Sequence, residues 1–408
     1  MSSRPVRLIS LVLLVVLGLS GCATAPRVWQ EPPALSADAR EALNLQVYDR
    51  AADRVADKFF DASLRGVDWP AARARHREAA RTAKDDETLY RAINALLAEL
   101  GESHTVAVPP REAFQERHRT RVLTGFTMRP LEGQWVITRV LPGSAAEAAG
   151  VRRGWIVRSR DGAPLERRAP RFTMNPGQAV QFEFVDELDQ VRAMTLVAGP
   201  VDSTPAREAR HLEDGTLYVR FERFDLASIR WLSAQLEANR DAPAAIIDVR
   251  DNPGGLLMSA RLAIAEFFPR RVEIGTFVQR GGREKETRSL TWGAAQYAGP
   301  VAVLVNGQSA SSAEIFAHVL QHHRRAVIVG QTTAGAVIAA LEYALPDRGR
   351  LQVPILDYLG LDGKRLEGAG VRPDVPVMPS LADLRQGTDR ELAAAREALH
   401  RDAPVPTS

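Results

Sequence analysis

A run of small polar residues in front of a helical pattern offers the first group that could do chemistry. The segment NGQSASSAEIFAHV spans residues 306–319, and three serines, Ser309, Ser311 and Ser312, fall within four positions. Residues 311–314 fit the Ser-x-x-Glu pattern of a helix capping box. A serine at this place can also be a nucleophile, because the N–H groups and dipole of a helix start stabilise developing negative charge.

A glycine-rich turn supplies a second candidate feature. The residues from Asp248 to Gly255 read DVRDNPGG and end the apolar run AAIIDVR, which is typical of a buried strand. Glycines in such a turn let backbone N–H groups face a ligand without interference from side chains. Alone the turn is weak evidence, since Asn-Pro and Gly-Gly occur in many loops.

Together these two segments resemble the tail-specific, or C-terminal processing, serine peptidases of family S41. The signatures of that family are D.R.NPGG and VLVN..SASA.EI, and the chain has VLVNGQSASSAEI at 303–315. The resemblance extends over about residues 40–380 and implies an α/β fold with a crotonase/ClpP-like protease core. It implies that Ser311 is the nucleophile and that the N–H of Ser312, with that of Gly254 or Gly255, forms the oxyanion hole.

The general base is where this sequence departs from most of these peptidases. A serine hydroxyl is a poor nucleophile unless a base accepts its proton, and many family members use a lysine in the pattern G..T.GK. Here the segment at 330–337 is GQTTAGAV, so Ala336 occupies the lysine position. The next lysine along the chain is Lys364.

Histidine is the natural substitute, but most of the eight histidines are poorly placed for it. His318 and His322 would lie about 10 and 16 Å along the helix that follows Ser311, because each helical residue adds about 1.5 Å. Such distances exceed hydrogen-bond reach. His323 is no nearer to the serine. Four further histidines lie in polar or Arg-rich surroundings and are expected at the surface: His76, His118, His211 and His400.

His104 is the histidine with a matching motif. The stretch LGESHTVAV resembles the D.SHT pattern of the tricorn-like branch, which uses a histidine base and a glutamate partner instead of lysine. This resemblance implies that His104 is the base and that Ser103 adds a hydrogen bond to the site. It also implies a downstream glutamate, for which Glu367 in LDGKRLEGAGVRPDVPV is the candidate. The alternatives are a loop histidine and a turn carboxylate with only structural roles.

The elements that must position these residues fall into three regions. Residues 38–115 have a helical pattern and carry the SHT motif. Residues 202–380 alternate strand-like and helix-like segments, which predicts the α/β peptidase core. Residues 381–408 are a C-terminal tail.

Residues 118–199 resemble a PDZ domain, inserted before the core. QWVITRVLPGSAAEAAGVRRGWIV matches that family's phrase V.PGSPA..AGV..GD.I, except that Trp155 replaces the usual aspartate. TGFTM precedes it where a PDZ domain places its carboxylate-binding loop, which implies that Gly125, Phe126 and Thr127 bind a peptide C-terminus. The alternative is a domain that only packs or gates.

The chain begins with a pattern typical of export. Arg4 and Arg7 precede the apolar run from Leu8 to Leu19, which is too short to span a bilayer at about 20 residues. The following LSGC resembles a bacterial lipobox. Residues 1–21 would then be a lipoprotein signal peptide, Cys22 the lipidated residue and 22–37 a tether. An ordinary secretory signal cut after ATA is the alternative.

These features predict a serine endopeptidase in the envelope of a Gram-negative bacterium, lipid-anchored, facing the periplasm and associated with the outer membrane. Its partners would be polypeptides, recognised by their C-terminal tails. Neither a cofactor nor a metal is expected, since the chain has one cysteine and no His-Glu-x-x-His motif. A net charge of +3 without a concentrated basic face does not favour nucleic-acid binding. A catalytically inactive PDZ-containing binding protein and a crotonase-like acyl-handling enzyme are the competing interpretations.

Overall fold

The computed structural model describes residues 29–102, 104–118, 120–165, 174–202, 204–290 and 296–401. Within these ranges the chain has a mixed α/β fold, as predicted. The signal segment, Cys22 and Ser103 lie outside the described residues. In the described ranges, no helix is both long and apolar enough to cross a membrane.

The N-terminal region is a group of helices that pack against one another through their apolar faces. Its first three α-helices begin at side-chain caps; for example, Ser36 accepts the N–H of Ala39, and Asp85 with Thr88 forms a capping box. Its short strand joins a sheet of the core, so the region is tied to the rest of the molecule. The elements are α1 (Ala37–Lys58), α2 (Trp69–Arg81), α3 (Asp86–Ala98), β1 (Val106–Val108) and α4 (Pro110–Arg117).

A β-rich region follows, and the end of this region lies beside its beginning. Its first and last strands pair in an antiparallel ribbon, and its main sheet has the order β3-β4-β5-β7-β8, with β6 beside β5. In this sheet β3 is an edge strand. The elements are β2 (Thr120–Leu123), β3 (Phe126–Leu131), β4 (Gln134–Val140), α5 (Ala145–Ala148), β5 (Ile156–Arg160), β6 (Ala163–Pro164), β7 (Ala179–Val185), β8 (Val191–Val197) and β9 (Gly199–Asp202).

The core contains a six-stranded sheet of order β10-β11-β12-β15-β16-β19, in which all neighbours except β10 and β11 run parallel. Its central strands are buried apolar runs, as expected for a parallel sheet covered on both faces. The elements are β10 (Arg207–His211), β11 (Leu217–Phe221), α6 (Leu226–Ala238), β12 (Ala245–Asp248), α7 (Leu257–Ala265), β13 (Glu273–Gln279), β14 (Arg283–Arg288), β15 (Val301–Val305), α8 (Ser312–His322), β16 (Val327–Gly330), β17 (Ala339–Ala344), β18 (Arg350–Leu359) and β19 (Val375–Pro376).

A second, antiparallel sheet connects the helical region to this core. Its order is β1-β18-β13-β14, with β17 also paired to β18. The strand β1 follows the His104 turn directly, and β18 precedes the loop that carries Glu367. The sheet therefore brings two candidate site residues from distant parts of the sequence to the same side of the core.

The C-terminal residues form two helices, α9 (Leu381–Gln386) and α10 (Arg390–Arg401), where the sequence predicted only a tail. Leu384 of α9 packs against apolar residues of the β-rich sheet. The Arg250 side chain of the DVRDNPGG segment donates to Asp389 at 2.9 Å and to Glu391 at 2.7 Å. This segment thus contacts both the β-rich region and the loop that contains the glycines.

Candidate active site

The turn that carries Ser311 lies between β15 and α8 and is tied to the glycine-rich loop after β12. The Ser309 hydroxyl donates to the carbonyl of Val249 at 2.8 Å, and the Ala310 N–H donates to the carbonyl of Asn252 at 3.0 Å. These bonds hold the two loops together at the carboxyl edge of adjacent parallel strands, where α/β proteins usually bind ligands. The two predicted halves of the acyl-transfer site are therefore neighbours.

Ser311 has a backbone conformation that residues other than glycine rarely adopt, with φ 54° and ψ −118°. Within the described ranges, three other serines cap α-helices, and each is extended and accepts a helix N–H with its side chain: Ser36, Ser144 and Ser380. Ser311 differs from these in its backbone conformation, and its backbone carbonyl accepts the Glu314 N–H at 2.9 Å. Such strain costs about 1–3 kcal/mol and clusters at functional sites. The geometry favours the nucleophile over the simple helix cap.

A buried carboxylate, that of Glu314, holds this strained turn in place. One of its oxygens accepts the N–H groups of Ser311 at 3.0 Å and Ala336 at 2.8 Å. The other accepts the Gly335 N–H at 2.7 Å and the Thr333 hydroxyl at 2.5 Å. Burial raises the pKa of Glu314, although these hydrogen bonds act in the opposite direction. The carboxylate therefore fixes the nucleophile turn and the neighbouring 333–336 loop as one unit.

The glycine loop packs closely against the same turn. A Cβ on Gly254 would lie 2.7 Å from Ser311 Cβ and 2.9 Å from the Ser312 nitrogen, so only glycine fits there. The Gly254 N–H donates to Asn252 Oδ1 at 2.9 Å. By contrast, the N–H groups of Gly255 and Ser312 have no hydrogen-bond acceptor within the described ranges. Of the two predicted glycines, this favours Gly255 as the second donor of an oxyanion hole.

The lysine position of the family lies directly beside the nucleophile, although this chain has alanine there. The Ser311 N–H donates to the Ala336 carbonyl at 2.8 Å. Lys364, the nearest lysine downstream, has a side chain that is 82% exposed and an Nζ 3.9 Å from Asp362. It is a surface residue in this structure and does not replace the missing base.

His104 lies in the turn before β1, with a side chain only 16% exposed. Both carboxylate oxygens of Glu102 lie 2.9 Å from its backbone N–H, and Glu102 Oε1 is 3.5 Å from its ring Nδ1. A ring nitrogen of His104, an oxygen of Glu102 and an oxygen of Glu367 all lie within 4.8 Å of one another. The predicted base and the predicted acid are therefore close together, with a second carboxylate beside them.

Glu367 is fixed by the backbone that follows Ala336. Its Oε2 accepts the N–H of Val337 at 2.8 Å and that of Ile338 at 3.3 Å. Because the adjoining residue Ala336 contacts the Ser311 backbone, this carboxylate is linked to the nucleophile turn through three consecutive residues.

The charges around His104 perturb its pKa. Burial acts to lower this pKa, but the hydrogen bond and charge of Glu102, followed by the charges of Glu367 and Glu314, outweigh burial and raise it. Burial acts to raise the pKa of Glu102, and the hydrogen bonds and charge of His104 outweigh it and lower the pKa. Glu314 also binds the Ser311 N–H, so the same carboxylate influences the base and holds the nucleophile.

Glu102 is the site residue that the sequence interpretation missed. Its only signal was a carboxylate two positions before the histidine in GESHT. Glu102, His104 and Glu367 are also the one trio in the described ranges with metal-ligand spacing. Protein N–H or O–H groups already bind both carboxylates, which favours an acid–base role over metal binding for this trio.

The predicted peptide-binding residues of the β-rich region have mixed surroundings. The Gly125 carbonyl accepts the N–H of Leu141 at 2.8 Å and the hydroxyl of Ser144 at 3.2 Å, which holds the loop in place. The Phe126 ring packs edge-on against Phe182 with ring centroids 5.2 Å apart, so its side chain belongs to the local core. Thr127 is exposed on β3. The Phe126 side chain is thus partly occupied by packing within the β-rich region.

Comparisons with known proteins find similarity to peptidases. Residues 215–377 match the model of Peptidase family S41, a range that contains the glycine loop, Ser311 and Glu367. A carboxyl-terminal-processing protease of Synechocystis is 26% identical over 359 residues, covering 80% of this chain and 82% of the relative. A putative tricorn protease homolog of Streptomyces coelicolor is 25% identical over 394 residues, covering 88% of this chain but only 33% of the relative.

Solved structures show the same fold. The photosystem II D1 C-terminal processing protease superimposes with a TM-score of 0.60 at 20% identity, covering 88% of this chain and 98% of the other. Mature CPAF gives a TM-score of 0.66 at 13% identity, covering 90% and 99%. Residues 215–377 are therefore similar to an S41 peptidase domain, and the protein is a serine-type peptidase.

Proposed function

We propose that the protein is a serine endopeptidase that cleaves polypeptides by Ser-His-Glu acyl-enzyme chemistry in the cell envelope. The observation that carries this proposal is the strained turn of Ser311 beside two N–H groups, those of Gly255 and Ser312, that have no acceptor among the described residues. A strained nucleophile with available backbone N–H donors nearby is what acyl transfer requires. The proximity of His104 and Glu367 supports a base that replaces the lysine.

In the proposed reaction, His104 accepts the proton of the Ser311 hydroxyl as its oxygen attacks the peptide carbonyl. The N–H groups of Gly255 and Ser312 stabilise the tetrahedral oxyanion. His104 then donates the proton to the leaving amine, and the C–N bond breaks to leave an ester on Ser311. Water hydrolyses this ester by the same steps, with His104 again as base and then acid, while Glu367 stabilises the imidazolium.

Recognition of substrate tails by a PDZ-like domain is part of this proposal. It rests on the sequence resemblance and on the position of β3 at a sheet edge, where an extended peptide could add as another strand. A peptide with a free, apolar C-terminus should then bind more tightly than its amidated copy. Equal affinities in a titration would leave the region with a packing or gating role.

Anchoring to the envelope rests on the sequence LSGC that ends at Cys22. Bacterial lipoproteins carry several acyl chains, which is enough for stable membrane attachment, whereas one chain gives only marginal binding. In a Gram-negative host, the native protein should enter the detergent phase and Cys22→Ser should not. Identical fractionation of the two proteins would contradict the anchor.

The catalytic assignment is tested with an unfolded polypeptide substrate. Ser311→Ala and His104→Ala should each abolish cleavage, and the double variant should resemble either single one because the two residues act as a unit. Glu367→Gln should lower kcat with less effect than either. His76→Ala is the matched control, because His76 also pairs with a glutamate, Glu99 at 2.8 Å, but on the surface of the helical region.

Full activity of His104→Ala together with an inactive Ser311→Ala would refute the histidine assignment. A native protein that cleaves nothing, yet still binds polypeptide tails, would instead support a non-catalytic binding protein. The alanine at position 336 is the observation that favours that second candidate.

A further inference from the structure

We propose that Glu102 is the positioning residue that orients His104, with Nδ1 toward Glu102 and Nε2 toward the nucleophile. This inference rests on the proposed function and deepens it, since sequence resemblance implied Glu367 as the orienting acid. Three observations support it: the burial of Glu102, its contacts with His104 within one turn, and the hydrogen bonds that hold Glu367 to a different loop.

The burial of Glu102 is the first observation. Its side chain is 0% exposed, yet it is a carboxylate in a short loop. Removing an ionised carboxylate from water is costly unless hydrogen bonds or an opposite charge compensate for it. Here the Thr105 hydroxyl donates to Oε2 at 2.9 Å and the backbone N–H of His104 lies 2.9 Å from both oxygens. The imidazole supplies the titratable partner, with Nδ1 3.5 Å away.

The second observation is that these contacts are local. Glu102 holds the backbone and the ring of His104 from only two residues away, so the orientation of the ring is set within one turn. The 3.5 Å separation is long for a hydrogen bond, but catalytic hydrogen bonds are often long in free enzymes and shorten when substrate binds. A carboxylate in this position selects the tautomer with hydrogen on Nδ1, which leaves Nε2 able to accept the serine proton.

The third observation concerns Glu367. Its Oε2 is already bound to the N–H groups of Val337 and Ile338, in a segment distant in sequence from His104. It therefore adds negative charge near the ring but is oriented by a different loop. The two carboxylates therefore have different roles: Glu102 orients the imidazole, and Glu367 stabilises its positive charge.

The pKa directions agree with this division. Although burial acts against it, Glu102 is first among the groups that raise the pKa of His104. A group with a raised folded pKa stabilises the fold at low pH and loses this contribution as pH rises through that value; a carboxylate with a lowered pKa shows the reverse. The pair therefore stabilises the turn most when Glu102 is ionised and His104 is protonated.

A structural role alone would also place a buried glutamate in a turn, so the test must separate charge from hydrogen bonding. Glu102→Gln keeps an acceptor for the His104 N–H and the Thr105 hydroxyl but removes the charge. Glu99→Gln is the matched control, because it removes the charge from the surface Glu99–His76 pair. Both are made in the full-length protein, with and without Ser311→Ala.

The first readout is the titration of the His104 ring followed by NMR in the Ser311→Ala background, which requires no catalysis. Glu102→Gln should shift the titration of His104 to lower pH, and Glu99→Gln should not. An unchanged titration in Glu102→Gln would overturn the proposal, whatever the outcome of the cleavage assays. This readout therefore separates failure of the Glu102 assignment from failure of the proposed peptidase chemistry.

The second readout is the kinetics of cleavage. Glu102→Gln should lower kcat by about 10- to 1000-fold with little change in KM, less than the roughly 10⁴-fold cost of removing the single acid of a Ser-His-Asp triad, because Glu367 remains. If this variant does not fold, Glu102→Asp replaces it, since it keeps the charge and moves it away from the ring. A reduced kcat at unchanged KM in that variant supports the proposal, and an unchanged kcat overturns it.

Discussion

Glu314 and Glu102 are two glutamates with buried side chains at the candidate site, and their pKa values are shifted in opposite directions. Glu314 starts the nucleophile helix α8 in the core, and burial raises its pKa. Glu102 precedes β1 in the helical region, and its contacts with His104 lower its pKa in spite of burial. Both side chains are shielded from water and both accept several hydrogen bonds.

The difference lies in their partners. The hydrogen-bond donors to Glu314 are neutral backbone N–H groups and the hydroxyl of Thr333, which stabilise the carboxylate less than burial destabilises it. Glu102 also faces an imidazole that can carry a positive charge. Burial alone therefore does not mark a carboxylate that serves the base, whereas burial together with a titratable partner at short distance does. On this view Glu314 builds the nucleophile turn and Glu102 serves the base.

The largest effect that separates the two glutamates should be on stability. Glu314→Gln keeps one oxygen acceptor but replaces the other with an amide N–H₂ group. In one orientation this group faces the N–H groups of Ser311 and Ala336. In the other it faces the Gly335 N–H and the Thr333 hydroxyl. One backbone donor would lose its acceptor in either orientation, the Ala336 N–H or the Gly335 N–H, because the Ser311 N–H keeps the Ala336 carbonyl and the Thr333 hydroxyl can accept from the amide. We expect the free energy of unfolding to fall by about 1–3 kcal/mol, measured by urea denaturation.

The matched comparison is Glu102→Gln, which should cost less stability because the amide oxygen can still accept the local donors. Equal losses in the two variants would show that the glutamates have the same structural role.

The pH dependence of stability provides a second check on Glu314. The fold raises the pKa of Glu314, so its contribution to stability declines as pH rises from the ordinary glutamate range through the raised value, and Glu314→Gln should lack that decline.

The sequence predicted the nucleophile side of the site better than the base side. Ser311, Ser312 and the two glycines could be located because a strand, a short turn and a helix follow one another locally, and the motif fixes their order. Which glycine N–H is available depends on the Asn252 side chain, and spacing alone does not reveal that contact. The same holds for the positive φ of Ser311, which a capping-box pattern does not predict.

The base side depends on contacts between distant segments. His104 and Glu367 were implied by resemblance, but their proximity requires the pairing of β1 with β18 in the second sheet. Glu102 was missed because a carboxylate near a loop histidine is common and only burial distinguishes this one. Helices α9 and α10 were missed for a similar reason, since their contacts with Arg250 and the β-rich sheet are tertiary.

A smaller effect should follow from the strain at Ser311. Glycine adopts positive φ without steric cost, whereas alanine there keeps the strain. Ser311→Gly and Ser311→Ala should both be inactive, but the glycine variant should be more stable by about 1–2 kcal/mol. Thermal unfolding of the two variants side by side provides the measurement. A less stable glycine variant would indicate that the turn is not strained and that the serine acts as an ordinary cap.

The central claim, that His104 activates Ser311, is tested most directly by labelling with a fluorophosphonate and locating the adduct by mass spectrometry. We predict one adduct, on Ser311, whose rate of formation falls as pH drops through the pKa of His104, above the ordinary histidine value of about 6.5. His104→Ala should slow labelling by at least about 1000-fold, as loss of the base does in other serine peptidases. An adduct elsewhere, or labelling of His104→Ala at the native rate, would contradict the account.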